Sequence, residues 1–139
     1  MQALVLSWQR LLVDGATCPR CAETERELES ACSFLQKVLA PLGIEVVLEK
    51  KELSPDVFRN EPLSSNALWI NGRPLEEWIK AKVGQSPCCD VCDPENCRTL
   101  EIEGKEYETV PAELIIEAAL RAVAEMLQES CTQCGPCCS

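Results

Sequence analysis

The sequence predicts an α/β domain built on a central mixed sheet flanked by helices. Three observations predict it. Residues 3–13 are almost continuously apolar, apolar residues recur at helical spacing between 19 and 40, and Ile44-Glu45-Val46-Val47-Leu48 forms a second apolar stretch. Strand, long helix and strand imply a right-handed crossover and a parallel pair. A chain of 139 residues can bury about two thirds of its unfolded surface, enough for one core without staples.

Each element has its own signal. Asp14-Gly15 marks a turn after the first strand. Thr17 and Cys18 precede the helix, and Pro19 suits its first turn, where a missing amide proton costs nothing. Leu28, Ala31, Cys32, Leu35, Val38 and Leu39 share one face, while Glu23, Glu25, Glu27 and Glu29 occupy others. Pro41 and Gly43 stop the helix. A polar segment with Pro55 and Pro62 has room for one helical turn. Residues 67–70 read as a short strand that runs into Asn71-Gly72, the strongest hairpin turn pair. Leu75, Trp78, Ile79 and Val83 suit a short amphipathic helix. Residues 84–98 read as an irregular cysteine-rich insertion, and 99–102 with 107–110 as a hairpin across Glu103-Gly104-Lys105. From 111 to 128 the pattern is helical, with Ile115, Ile116, Ala119, Val123, Met126 and Leu127 on one face. Residues 1–128 thus form one domain, and 129–139 form a flexible cysteine-rich tail.

Cysteine dominates the chemistry. The chain holds 11 cysteines and no histidine. The amino terminus lacks the basic start, long apolar run and cleavage site of a signal peptide, and nothing approaches the roughly 18 apolar residues of a membrane span. The expected setting is therefore a reducing cytoplasm, where clustered cysteines mean metal binding or redox catalysis more often than structural disulfides. An odd cysteine count also forbids full pairing within one chain. The net charge of −10 argues against nucleic-acid and anionic-membrane partners.

Three motifs carry the thiols. Cys18-Pro19-Arg20-Cys21 lies at a strand-to-helix junction. The helix terminus, the second thiol and the Arg20 charge all favour a Cys18 thiolate, and Glu23 and Glu25 oppose it. Cys18 would attack and Cys21 resolve. The same spacing also makes half of a zinc knuckle. Asp14 is a turn residue or a proton acceptor for Cys21. Cys32 lies eleven residues beyond Cys21 on nearly the same face, and a rise of about 16 Å excludes a disulfide between them. It reads as a buried, inert thiol. The second motif is Cys88, Cys89, Cys92 and Cys97, four thiols in ten residues. The third is Cys131, Cys134, Cys137 and Cys138 in the tail. Without histidine the strong ligands are sulfur and carboxylate, which select zinc, copper(I), an iron–sulfur cluster or trivalent arsenic. Disulfides that tie down the insertion, or a redox relay, are the alternatives.

The strand, the Thr17-Cys18-Pro19-Arg20-Cys21 helix start, the second strand and the later Trp69-Ile70-Asn71-Gly72-Arg73-Pro74-Leu75 resemble the thioredoxin and glutaredoxin superfamily. The chain looks closest to uncharacterised cysteine-rich bacterial thioredoxin-like proteins. The resemblance covers roughly residues 1–75 and the last helix. It implies a thioredoxin-like fold and a redox-active dithiol that exchanges with protein or small-molecule thiol and disulfide partners. In that superfamily a cis-proline precedes the hairpin strand and faces the dithiol. Here the matching stretch is Ser64-Ser65-Asn66-Ala67, and Thr109-Val110-Pro111 precedes a helix instead. Two functions follow as expectations: a cytoplasmic thiol-disulfide oxidoreductase working through Cys18, Cys21 and Arg20, or a protein that sequesters or transfers a soft metal or metalloid on its clustered cysteines.

Overall fold

The apolar stretch at the start of the chain forms β1 (Gln2–Leu11). Its position in the sheet explains its composition. The four-stranded sheet has the order β2-β1-β3-β4, with β2 at Ile44–Leu53, β3 at Ala67–Ile70 and β4 at Arg73–Pro74. An inner strand has neighbours on both sides, and Leu4, Leu6 and Trp8 are fully buried at alternate positions on one face. The structure is a computed structural model that describes residues 2–11, 19–61, 63, 65–87 and 96–134, with backbone alone at 19, 96–97 and 130–134.

β1 and β2 run parallel from Gln2↔Ile44 to Leu11↔Leu53, so residues 3–11 of the first apolar stretch share a sheet with 44–48 as expected, and 12–13 lie outside the described residues. Between them lies α1 (Pro19–Leu39). β2 continues five residues past the apolar stretch, through Glu49, Lys50, Lys51 and Glu52. An edge strand tolerates such charges, which also discourage edge-to-edge pairing. Lys50 turns toward α1 and pairs with Glu25 at 2.9 Å and Glu29 at 3.1 Å.

After α2 (Pro55–Asn60), the β3–β4 hairpin turns on Asn71 and Gly72, at φ 50° and 81°. Positive φ at both positions is what a two-residue turn of this kind needs. Asn71 also extends the pairing to β1. Its N–H donates to Val5 O at 2.8 Å, and its Oδ1 accepts from Val5 N–H at 2.9 Å. The short α3 (Leu75–Ile79) follows and buries Leu75, Trp78 and Ile79.

A second sheet, β5-β6-β7, comprises Lys82–Pro87, Asn96–Ile102 and Lys105–Tyr107. The sequence makes 84–98 irregular, and of these 88–95 lie outside the described residues. Instead, Lys82–Pro87 and Asn96–Ile102 pair antiparallel in continuous register. The Gly-Gln-Ser-Pro segment has no strand signature of its own, so the partner strand imposes its conformation. A Cβ at Gly84 would sit 2.7 Å from Thr99 Oγ1, so glycine lets the strands approach here. Arg98 fastens this ribbon to the body, donating to Leu63 O at 2.7 Å and pairing with Glu76 of α3.

The last helix, α4 (Ala112–Cys134), packs against α1. Leu28, Ala31 and Leu35 of α1 join Ile115, Ala119 and Val123 of α4 in one core with β1. Each fully buried side chain of Leu or Ile size contributes about 1.5–3 kcal/mol. Two assignments change. Val38 and Leu127 point outward, while Thr24, Ala118 and Ala122 are fully buried. Small alanines on the α4 face admit close helix approach. Helix α4 also runs six residues beyond the expected end at 128. Residues 129–134 contain no helix breaker, and Gly135-Pro136 is the first. Of the expected tail, 135–139 lie outside the described residues. Among the described residues no helix is long and apolar enough to cross a membrane.

Candidate functional site

Cys21 lies in the first turn of α1, where backbone amides lack helical partners and the helix dipole is positive. Its side chain is 1% exposed. Cys21 Sγ lies 3.7 Å from Ser65 Oγ. Ser65, also 1% exposed, accepts the Leu11 N–H at 3.0 Å. The next residue, Asn66, has φ 60° and accepts the Trp8 indole N–H on Oδ1 at 3.0 Å. Residues 65–66 are thus held by two side-chain bonds to β1, in the stretch where the superfamily resemblance implies a proline. The sequence places Ser65 in the stretch expected to face the dithiol but assigns it no role. A serine in a polar segment has no periodicity, and its importance appears only when the segment folds back on β1.

Arg20 faces away from bulk water. Its guanidinium donates to Ser86 Oγ at 2.8 Å and to Pro87 O at 2.6 Å, and lies 3.2 Å from Glu108 Oε1. The charge expected to assist Cys18 is therefore shared with Glu108 and committed to β5. The two opposing acids are engaged too, Glu23 with Arg26 and Glu25 with Lys50. Among the described residues the buried Arg20 Nη1 has no hydrogen-bond partner. Through this arginine the base of the β5–β6 ribbon docks beside the start of α1, and Pro87 is the residue before Cys88 in the chain.

Cys32 has a different environment. It is buried among apolar residues, and desolvation raises its pKa from 9.0 to about 11, against the opposing pull of Lys50. Its burial and raised pKa are in keeping with the inert thiol expected.

Cys18 and Asp14 lie outside the described residues, as do Cys88, Cys89, Cys92, Cys137 and Cys138. Cys97 is placed by its backbone in β6, opposite Ser86, and Cys131 and Cys134 by theirs in the last turns of α4. Among the described residues no three Cys, Asp or Glu side chains group as metal ligands.

Residues 4–119 match the family described as a domain of unknown function, DUF2703, and the chain belongs to that family. It is similar to an uncharacterized protein of the archaeon Archaeoglobus fulgidus, 53% identical over 112 residues, covering 81% of this chain and 82% of the relative. The family match spans β1, the start of α1 and both hairpins described above. No solved structure matches the chain.

Proposed function

We propose that the chain is a thioredoxin-like thiol-disulfide oxidoreductase with Cys18 and Cys21 as its redox pair. The observation that carries this reading is the placement of Cys21. It sits in the first turn of the helix that follows an inner parallel strand, packed against a polar residue just before the hairpin strand. Active sites of open α/β sheets gather at the carboxyl ends of such strands. The order β2-β1-β3-β4, with β1 parallel to β2 and antiparallel to β3, supports the fold assignment.

The chemistry balances with these residues alone and a disulfide substrate. The Cys18 thiolate attacks the substrate disulfide, forming a mixed disulfide and releasing one substrate thiolate. The Cys21 sulfur then attacks Cys18 Sγ. The Cys18–Cys21 disulfide forms, and the second substrate sulfur leaves and takes up the Cys21 proton. The substrate is reduced by two electrons and the protein oxidised by two. The test is reduction of insulin or glutathione disulfide by the full-length chain. Wild type should turn over with an external dithiol, and Cys18→Ser should not. Equal rates would end this reading.

One observation favours a second reading, soft-metal or metalloid binding. Arg20 docks the ribbon that leads into Cys88 beside the dithiol helix. Cys88, Cys89, Cys92 and Cys97, assisted by Cys131, Cys134, Cys137 and Cys138, then supply sulfur for zinc, copper(I), an iron–sulfur cluster or trivalent arsenic. Titration of the reduced chain with each ion, counted after desalting, decides it. Retained ion that is lost in Cys89→Ser/Cys92→Ser supports binding, and no retained ion rejects it.

A further inference from the structure

We infer that the Ser65 hydroxyl is a hydrogen-bond partner that helps hold the Cys21 sulfur as a thiolate while the Cys18–Cys21 disulfide is made or broken. This role rests on the dithiol reading above. The geometry argues for it in three steps.

First, the hydroxyl is fixed. The Leu11 N–H at the end of β1 occupies one lone pair of Ser65 Oγ at 3.0 Å. The neighbouring Asn66 is anchored by the Trp8 indole at 3.0 Å. A hydroxyl held this way has one proton and one lone pair left. Second, the remaining capacity faces Cys21 Sγ at 3.7 Å, a sulfur hydrogen-bond distance. With the thiol, the second lone pair can accept the S–H. With the thiolate, the hydroxyl rotates and donates. One residue therefore serves both protonation states without moving a heavy atom. Third, both residues are 1% exposed. A buried thiolate without a donor is costly, because water cannot replace the missing bond. The same dry site strengthens a charge-assisted bond that is present.

During resolution, Cys21 must lose its proton before or as it attacks Cys18. That proton ends on the departing substrate sulfur, and Ser65 donates its own hydrogen bond without being ionised. In the reverse direction Cys21 leaves as a thiolate, and the Ser65 O–H meets the charge as it develops.

The experiment follows alkylation of the fully reduced chain by iodoacetamide across pH, resolved by peptide mass spectrometry so that Cys21 and Cys32 are read separately. Wild type is compared with Ser65→Ala, Ser65→Thr and Ser65→Val. Threonine and valine have nearly the same shape, so their difference isolates the hydroxyl even if alanine loosens the fold. The Cys21 midpoint should rise in Ser65→Ala and Ser65→Val, leaving about tenfold less thiolate near neutral pH. Ser65→Thr should keep the wild-type midpoint, and Cys32 should not change in any of them. Identical Cys21 midpoints in the threonine and valine variants would overturn the inference. A separate arm equilibrates wild type with glutathione buffers. If no Cys18–Cys21 disulfide forms, the dithiol reading fails and this role fails with it. If the disulfide forms and the midpoints do not differ, only the role of Ser65 fails.

Discussion

Cys21 and Cys32 stand on the same helix, three turns apart, and both are buried. Their surroundings differ. Cys21 is at the amino end of α1, beside the Ser65 hydroxyl. Cys32 is in mid-helix, in the apolar core, with its thiol pushed up to about 11. Burial alone therefore does not decide what a thiol can do. A helix terminus and a donor hydroxyl lower the cost of the charged form, and burial in an apolar core raises it.

The largest effect should come from substituting the two cysteines in turn. On the dithiol reading, Cys21→Ser should sharply slow turnover of glutathione disulfide, because the mixed disulfide on Cys18 then waits for an external thiol to resolve it. Cys32→Ser should leave the rate near wild type. Comparable loss in both variants, measured by the same assay, would erase the distinction between the two ends of the helix.

Alkaline denaturation sharpens the comparison from the Cys32 side. In the unfolded chain this thiol ionises around 9.0, and in the folded chain around 11. Its folded pKa is raised, so its contribution to stability is complete below pH 9 and is lost as pH rises to about 11. The loss should reach about 2–3 kcal/mol. Urea unfolding of the reduced chain at several pH values measures it, and Cys32→Ala should flatten that part of the profile. Lys50 is raised as well, chiefly by its hydrogen bond to Glu25, and its contribution is likewise lost as pH rises above its ordinary pKa.

At the Cys21 end, Arg20→Ala removes the bonds to Ser86 and Pro87 and the pair with Glu108. We expect a stability loss of about 2 kcal/mol, with faster amide hydrogen exchange in Lys82–Pro87 and little change in β2. Uniform acceleration across both sheets would show that Arg20 is not a local fastening.

The smallest effect belongs to Lys50→Gln. Its pairs with Glu25 and Glu29 are partly exposed, so their loss should cost under about 1 kcal/mol. It should also move the Cys32 alkylation midpoint slightly upward, since Lys50 is the group that lowers it.

Much of the main sheet was legible in the sequence. Residues 3–13 and 44–48 carried the apolar signal of a buried parallel pair, and Asn71-Gly72 fixed the hairpin. The charged half of β2 was not legible, because edge strands need no apolar pattern. Nor was β5, whose Gly84-Gln85-Ser86-Pro87 is a strand only by pairing with β6. At the candidate site, the Cys18–Cys21 spacing and the start of α1 could be read directly. The Ser65 contact and the turn of Arg20 toward Pro87 could not, since both join residues more than forty positions apart.

The most direct measurement is a redox titration of the full chain in glutathione buffers, quenched with acid and mapped by peptide mass spectrometry. The dithiol reading predicts a Cys18–Cys21 disulfide that forms in one two-electron transition, while Cys32 stays reduced throughout. A chain with no Cys18–Cys21 disulfide at any buffer ratio, or with Cys32 oxidised in step with Cys21, would contradict it.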